Sequence, residues 1–277
     1  MPHPLGLELL TVLGLDPVAH ATLAAELGCR TMSVGLQQVP AALNPHGYPG
    51  WSLRNDPPLR RAFRAALADH GVTIALAEGI DLSPQADSER WEADLDLMAE
   101  LGAVRVSARD MGMERAQAFD RFALLARMVE QRGMELAIAF SPVLTIRSLD
   151  EALAAIAHID QGQDGQDRLR ATVLIDAMHF FRSGGTVRQI ADLDPALIGC
   201  VQICDGARKG EGDYIAEQIT GRMVPGQGEL PLREFVDALP RGQGLGLAVP
   251  LTAAARSGRP ASDYVAEVVR RTREFLA

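Results

Sequence analysis

The chain has 277 residues, three cysteines and a net charge of −9, from 27 basic and 36 acidic residues. At roughly 100–200 residues per domain this is one large domain or two small ones, long enough to fold without disulfides or a structural metal. The acidic balance argues against sequence-independent nucleic-acid binding, which needs a basic face. The amino terminus lacks a basic leader with an apolar run, and no apolar stretch reaches ~18 residues, so neither a secretion signal nor a membrane span is predicted. A cytoplasmic protein with a small-molecule substrate is expected; a homodimer is an open option.

Short apolar runs alternate with longer amphipathic segments from end to end. The predicted strands are Leu5–Leu9, Arg30–Val34, Val72–Ala77, Ala103–Ser107, Glu135–Phe140, Thr172–Asp176, Cys200–Cys204 and Gly244–Val249. Between them lie predicted helices over Pro17–Leu27, Pro58–His70, Ser88–Leu101, Arg115–Gln131, Leu149–Ile159, Val187–Leu193, Leu232–Leu239 and Ala261–Leu276. Asp16-Pro17 is a start signal, and Gly28, Gly102 and Gly133 are stop signals. Eight βα units without a dividing linker predict one domain over 1–277, a (β/α)8 TIM barrel with its site built from the loops after the strands. The longest such loops are Gly35–Pro57 and Gly206–Pro231.

Several cofactor chemistries are excluded early. No G-x-G-x-x-G follows the first strand and no G-x-x-x-x-G-K-[ST] occurs, so no nucleotide cofactor is expected. Lys209 is the sole lysine and sits in the polar run Ala207-Arg208-Lys209-Gly210-Glu211-Gly212, a poor place for the desolvation a Schiff-base lysine needs. Cys29, Cys200 and Cys204 lack C-x-x-C spacing and read as buried thiols.

The strongest local signal is Leu174-Ile175-Asp176-Ala177-Met178-His179-Phe180-Phe181-Arg182-Ser183-Gly184-Gly185. A carboxylate at the carboxyl end of a barrel strand points into the mouth, where it can hold a cation or a hydroxyl. The Ser183-Gly184-Gly185 turn is a candidate for offering backbone N–H groups to an anion. The plainer alternative is that Asp176 caps the following turn and His179 is a satisfied loop histidine. In Val201-Gln202-Ile203-Cys204-Asp205-Gly206, alternation sets Cys200, Gln202 and Cys204 on one face. An amide there needs a partner, either a substrate or cation, or a group across the barrel. Arg222, ahead of Val224-Pro225-Gly226-Gln227-Gly228, is placed to reach an anion or to clamp Asp205. Glu78 and Arg109-Asp110, after the third and fourth strands, are weaker candidates, and Glu8 in the first is a candidate for the barrel interior.

These stretches, in this order, resemble the sugar phosphate isomerase/epimerase family, the xylose isomerase-like barrels, over nearly the whole chain; Ala77-Glu78-Gly79 and Leu101-Gly102-Ala103 share in the likeness. The resemblance implies a divalent metal held by a Glu on the fifth strand, the Asp of Asp-x-x-His, a His or Gln on the seventh, and a Glu on the eighth. The two glutamates also serve as the proton-transfer pair in members that isomerise or epimerise ketoses. Carried over, Asp176 and Gln202 match two ligands and His179 the substrate-facing histidine. Ala139 and Ala248 stand where the glutamates belong.

A Mg²⁺ or Mn²⁺ site wants near-octahedral oxygen coordination with carboxylates among the ligands, so a divalent metal (Mg, Mn or Zn) is expected to bind weakly or not at all. The alanines and Gly244 and Gly246 are expected to leave room in the mouth. The leading expectation is an isomerase/epimerase-type enzyme acting on a small polyhydroxy or carbonyl substrate. His179 and Asp176 are its catalytic candidates, and Gln202, Asp205, Arg222, Glu78 and Arg182 its substrate contacts. The alternatives are a non-catalytic ligand-binding or partner protein, and a metal-independent lyase or hydrolase.

Overall fold

A computed structural model describes residues 3–44, 46–84, 88–161, 171–210, 212–250 and 257–277; Glu211, in the polar run around Lys209, lies outside the described residues. Strands β1 (Leu5–Leu7), β2 (Thr31–Gly35), β3 (Thr73–Leu82), β4 (Arg105–Asp110), β5 (Glu135–Ala139), β6 (Ala171–Asp176), β7 (Ile198–Ile203) and β8 (Leu245–Leu247) pair in parallel with their chain neighbours. β8 pairs back onto β1 through Leu5–Leu245, Gly6–Gly246 and Leu7–Leu247, closing the sheet into the expected (β/α)8 barrel.

The helices outside it are α1 (Pro17–Glu26), α2 (Pro57–His70), α3 (Ser88–Glu100), α4 (Arg115–Glu130), α5 (Leu149–Gln161), α6 (Ala177–Arg182), α7 (Val187–Ala191), α8 (Tyr214–Thr220), α9 (Leu232–Ala238) and α10 (Ala261–Leu276). Their ends follow local chemistry. Asp16 accepts the Val18 and Ala19 N–H groups ahead of Pro17 at the start of α1, and Asp56 accepts that of Leu59 at the start of α2. Gly71, at φ 61°, ends α2 in the left-handed region that a side chain disfavours.

Alternation along the strands separates two apolar layers. Leu5, Leu7, Leu136, Ile138, Val173, Ile175, Val201, Ile203, Leu245 and Leu247 belong to the large core that joins barrel to helices. Leu76, Ala137 and Leu174 form a separate cluster, with Ala139 and Cys200 against it. The second face therefore carries the residues at whose upper end the mouth begins.

Differences from the predicted elements have local causes. β3 and β4 run on to Leu82 and Asp110 because they keep pairing there, Leu82 beside Asp110. β1 stops at Leu7, since the chain turns into a 3-10 segment at Leu9–Val12, and the Thr11 hydroxyl donates to the Leu247 carbonyl at 2.6 Å. The helices α6 and α8 fall within stretches read as loop, being too short to show a helical period. Among the described residues, no helix is long and apolar enough to cross a membrane.

Candidate active site

Asp176 ends β6 and begins α6, and its two oxygens do different work. Oδ1 accepts the His179 backbone N–H at 3.0 Å, which caps the helix. Oδ2 accepts from Arg222 Nη1 at 2.6 Å, with the two side chains only 3% and 1% exposed. Burial alone would raise the Asp176 carboxyl; the Arg222 charge, with His179 and the hydrogen bonds, outweighs it and holds the group below the ordinary carboxylate range. Arg222 is further held by Nε donating to the Gln218 carbonyl at 2.6 Å, and Nη1 lies 3.2 Å from Cys204 Sγ and 3.5 Å from the Ala248 carbonyl. Burial opposes its charge, but Asp176 more than restores it and pushes the guanidinium upward. A positive charge is thus fixed at the end of β6.

The backbone explains how Arg222 gets there. Asp205 and Met223 exchange both N–H···O bonds at 2.8 Å, folding the loop after β7 back over its own strand. The Asp205 carboxylate accepts N–H groups from Gly206 (2.9 Å), Gly226 (3.0 Å) and Leu230 (3.2 Å). A Cβ on Gly228 would lie 2.4 Å from its Oδ1, so only glycine fits that turn. The expected Arg222–Asp205 clamp is corrected: Asp205 is taken up in closing the loop, and the guanidinium goes to Asp176.

His179 stands on α6, its Nδ1 hydrogen-bonded to the Tyr214 hydroxyl of α8 and its ring edge-on to the phenol. Burial lowers the imidazole to about 4 against the opposing pull of Asp176, so it is neutral near pH 7. Burial pushes the Tyr214 phenol upward, and it stays protonated.

Gln202 lies beside Asp176 on one side and Gly246 on the other in the register of β6, β7 and β8. Its Nε2 donates to Glu8 Oε2 at 3.0 Å, so the amide has its partner across the barrel. Burial first, then the nearby Glu78 charge, pushes Glu8 up to about 8, while hydrogen bonds from Ser33 and Gln202 act the other way. A Cβ on Gly246 would lie 1.9 Å from Glu8 Oε1. The room expected above Gly246 is therefore filled by the Glu8 carboxyl, a correction to that expectation. Glu78 shares the face of Leu76 on β3; its Oε1 is buried without a hydrogen-bond partner. Burial raises this carboxyl as well, with Ser33 and the Arg109 charge opposing.

Other candidates stand apart. Arg182 pairs with Glu217 at 2.6 Å and donates to the Ala207 carbonyl at 2.8 Å, pinning α6 to α8 beside the mouth. The Ser183, Gly184 and Gly185 N–H groups donate to the His179, Phe181 and Phe180 carbonyls. They close the carboxyl end of α6 and do not offer the anion cradle anticipated from the sequence. Arg109 pairs with exposed Asp81, and buried Asp110 accepts the Thr145 and Ile146 N–H groups. Ala139 ends β5 and Ala248 follows β8.

Ser33 and Tyr214 were not among the sequence candidates. Ser33 between Met32 and Val34 was legible by alternation, as a buried polar residue of β2 turned away from the outer core. Tyr214 was not, because its place depends on the fold of the loop. Among the described residues, no three His, Cys, Asp or Glu side chains converge where they could hold an ion.

The family model for the xylose isomerase-like TIM barrel matches residues 21–273, and the chain belongs to that family. A Streptomyces coelicolor protein named "Putative hydroxypyruvate isomerase" is 29% identical over 170 residues. That match covers 56% of this chain and 56% of the relative, so the likeness spans about half the relative's length. Among solved structures, the IolI protein with a bound zinc atom superposes with a TM-score of 0.75 at 14% identity, covering 100% of this chain and 98% of its own. D-psicose 3-epimerase, in the presence of D-fructose, gives 0.67 at 15% identity, covering 100% and 99%. At these identities the structures share the fold alone.

Proposed function

We propose that this protein is an isomerase/epimerase-type enzyme that moves a proton between adjacent carbons of a small hydroxycarbonyl compound, with the metal site degraded and a fixed guanidinium in its place. The observation that carries this is the buried Arg222–Asp176 pair at the end of β6. The residues present do not fit a divalent cation: Ala139 and Ala248 offer no side-chain oxygen, Asp176 is engaged by Arg222, and the Gln202 amide is bonded to Glu8. The proposed reaction is therefore metal-free.

The chemistry follows from what is held in the mouth. Removing a proton from carbon beside a carbonyl puts negative charge on oxygen, and a preorganised cation stabilises that charge most when it need not be brought into place. Arg222 is such a cation. Asp176 positions it and caps the helix that carries His179. The neutral His179 imidazole can take a proton from one substrate oxygen and return it to the other. The relative's name makes hydroxypyruvate the first substrate to try, and its carboxylate suits a site with a fixed positive charge. A non-catalytic binding protein is the second reading, and the loss of side-chain function at Ala139 and Ala248 is what favours it.

The test is incubation of the chelator-treated protein with hydroxypyruvate in D₂O, followed by NMR. Deuterium entering the hydroxymethyl carbon and formation of the aldehyde isomer, unchanged by added Mn²⁺, are the expected results. Turnover that appears only with Mn²⁺ would defeat the metal-free reading. Binding of hydroxypyruvate without exchange or isomerisation would favour the second.

A further inference from the structure

Isomerisation of a hydroxycarbonyl needs a group that takes a proton from carbon, and alanine at 139 and 248 cannot supply one. We propose that Glu78 on β3 is this base, a catalytic residue on a different strand from either position where the family resemblance places its glutamates. The inference rests on the isomerase reading above and supplies the component that it lacks.

Three observations converge on Glu78. First, alternation with Leu76 turns it away from the outer core, onto the face whose upper end is the mouth. Second, its Oε1 is buried and has no hydrogen-bond partner. Buried carboxylate oxygens are otherwise bonded, because leaving one unsatisfied costs stability; an open lone pair inside a charged mouth is what a proton acceptor needs. Third, burial and the Asp176 charge raise this carboxyl while the Ser33 hydroxyl and the Arg109 and Arg222 charges lower it, so it shares the field of the other groups of the site. Neighbouring Glu8 differs in the relevant respect, since Gln202 already engages its Oε2 and its Oε1 lies against Gly246.

The step balances without an external oxidant or reductant. The Glu78 carboxylate takes the proton from the carbon that bears the hydroxyl. The C–H electron pair becomes the C=C bond of an enediolate, and the carbonyl pair moves onto oxygen, where Arg222 stabilises it. His179 takes the proton from the hydroxyl oxygen and gives it to the former carbonyl oxygen. Protonated Glu78 then returns its proton to the former carbonyl carbon, and the new carbonyl forms on the other.

The test compares wild type with Glu78→Gln and Glu78→Asp, reading deuterium incorporation into hydroxypyruvate together with the melting temperature. Wild type is expected to exchange, Glu78→Gln to lose about 100-fold or more of that rate, and Glu78→Asp to retain a reduced rate. The melting temperature of Glu78→Gln should be unchanged or higher, since the carboxylate oxygen it replaces makes no bond. Exchange by both variants at the wild-type rate would overturn Glu78 as base while leaving the isomerase reading intact. A Glu78→Gln variant that melts well below wild type would mark a structural role, and Glu78→Asp exchanging at the full wild-type rate would then overturn the assignment. No exchange by wild type would overturn both proposals.

Discussion

Arg222 shows what one residue can carry when it is buried with its counter-ion. Removing one partner of such a pair strands the other charge without water, at a cost of about 3–5 kcal/mol. Arg222→Met is therefore expected to lower unfolding stability by that amount in urea titrations. Asp176→Leu in the same background should recover part of it, because the stranded carboxylate is gone. His20 makes a separate prediction. Burial lowers its imidazole to about 4, against the opposing bond to the Leu7 carbonyl at 3.1 Å. The unfolded chain binds a proton there near pH 6.5 and the folded one does not, so stability should hold above that pH and fall as pH drops towards 4. The loss is about 3 kcal/mol in total, and His20→Gln should flatten this part of a stability–pH curve. Asp176, Gln202 and Arg222 were legible in the sequence as polar residues at strand ends or in a shaped loop. Their partners were not, because Gln202 and Glu8 are 194 positions apart and only ring closure joins them.

Among the elements, the segment after β7 does the most to build the site, and it was the least legible. Its Pro-Gly-x-Gly run signalled a tight loop, but whether Asp205 would meet Arg222 or the loop's own amides depends on the backbone pairing with Met223. The strands were readable because each buries one face against the helices and alternation is a local signal. α6 and α8 were not, having six and seven residues, too few for a period to emerge. Asp205→Ala should release three backbone N–H groups and cost roughly 3 kcal/mol. Amide hydrogen exchange at Gly226 and Leu230 would report it, with protection at those sites falling far more than in β6.

On the scale of the whole molecule, the barrel's seam runs through the mouth. Glu8 follows the first strand, Gly246 lies in the last, and the carboxyl of the first occupies the space that the missing side chain of the other leaves free. During synthesis Glu8 is made well before the seat for that side chain, which lies on β8. Until β8 docks, a polar acid at the end of β1 has no barrel wall on one side and remains open to water. Joining the two ends of the sheet is thus also what takes the Glu8 carboxyl out of water.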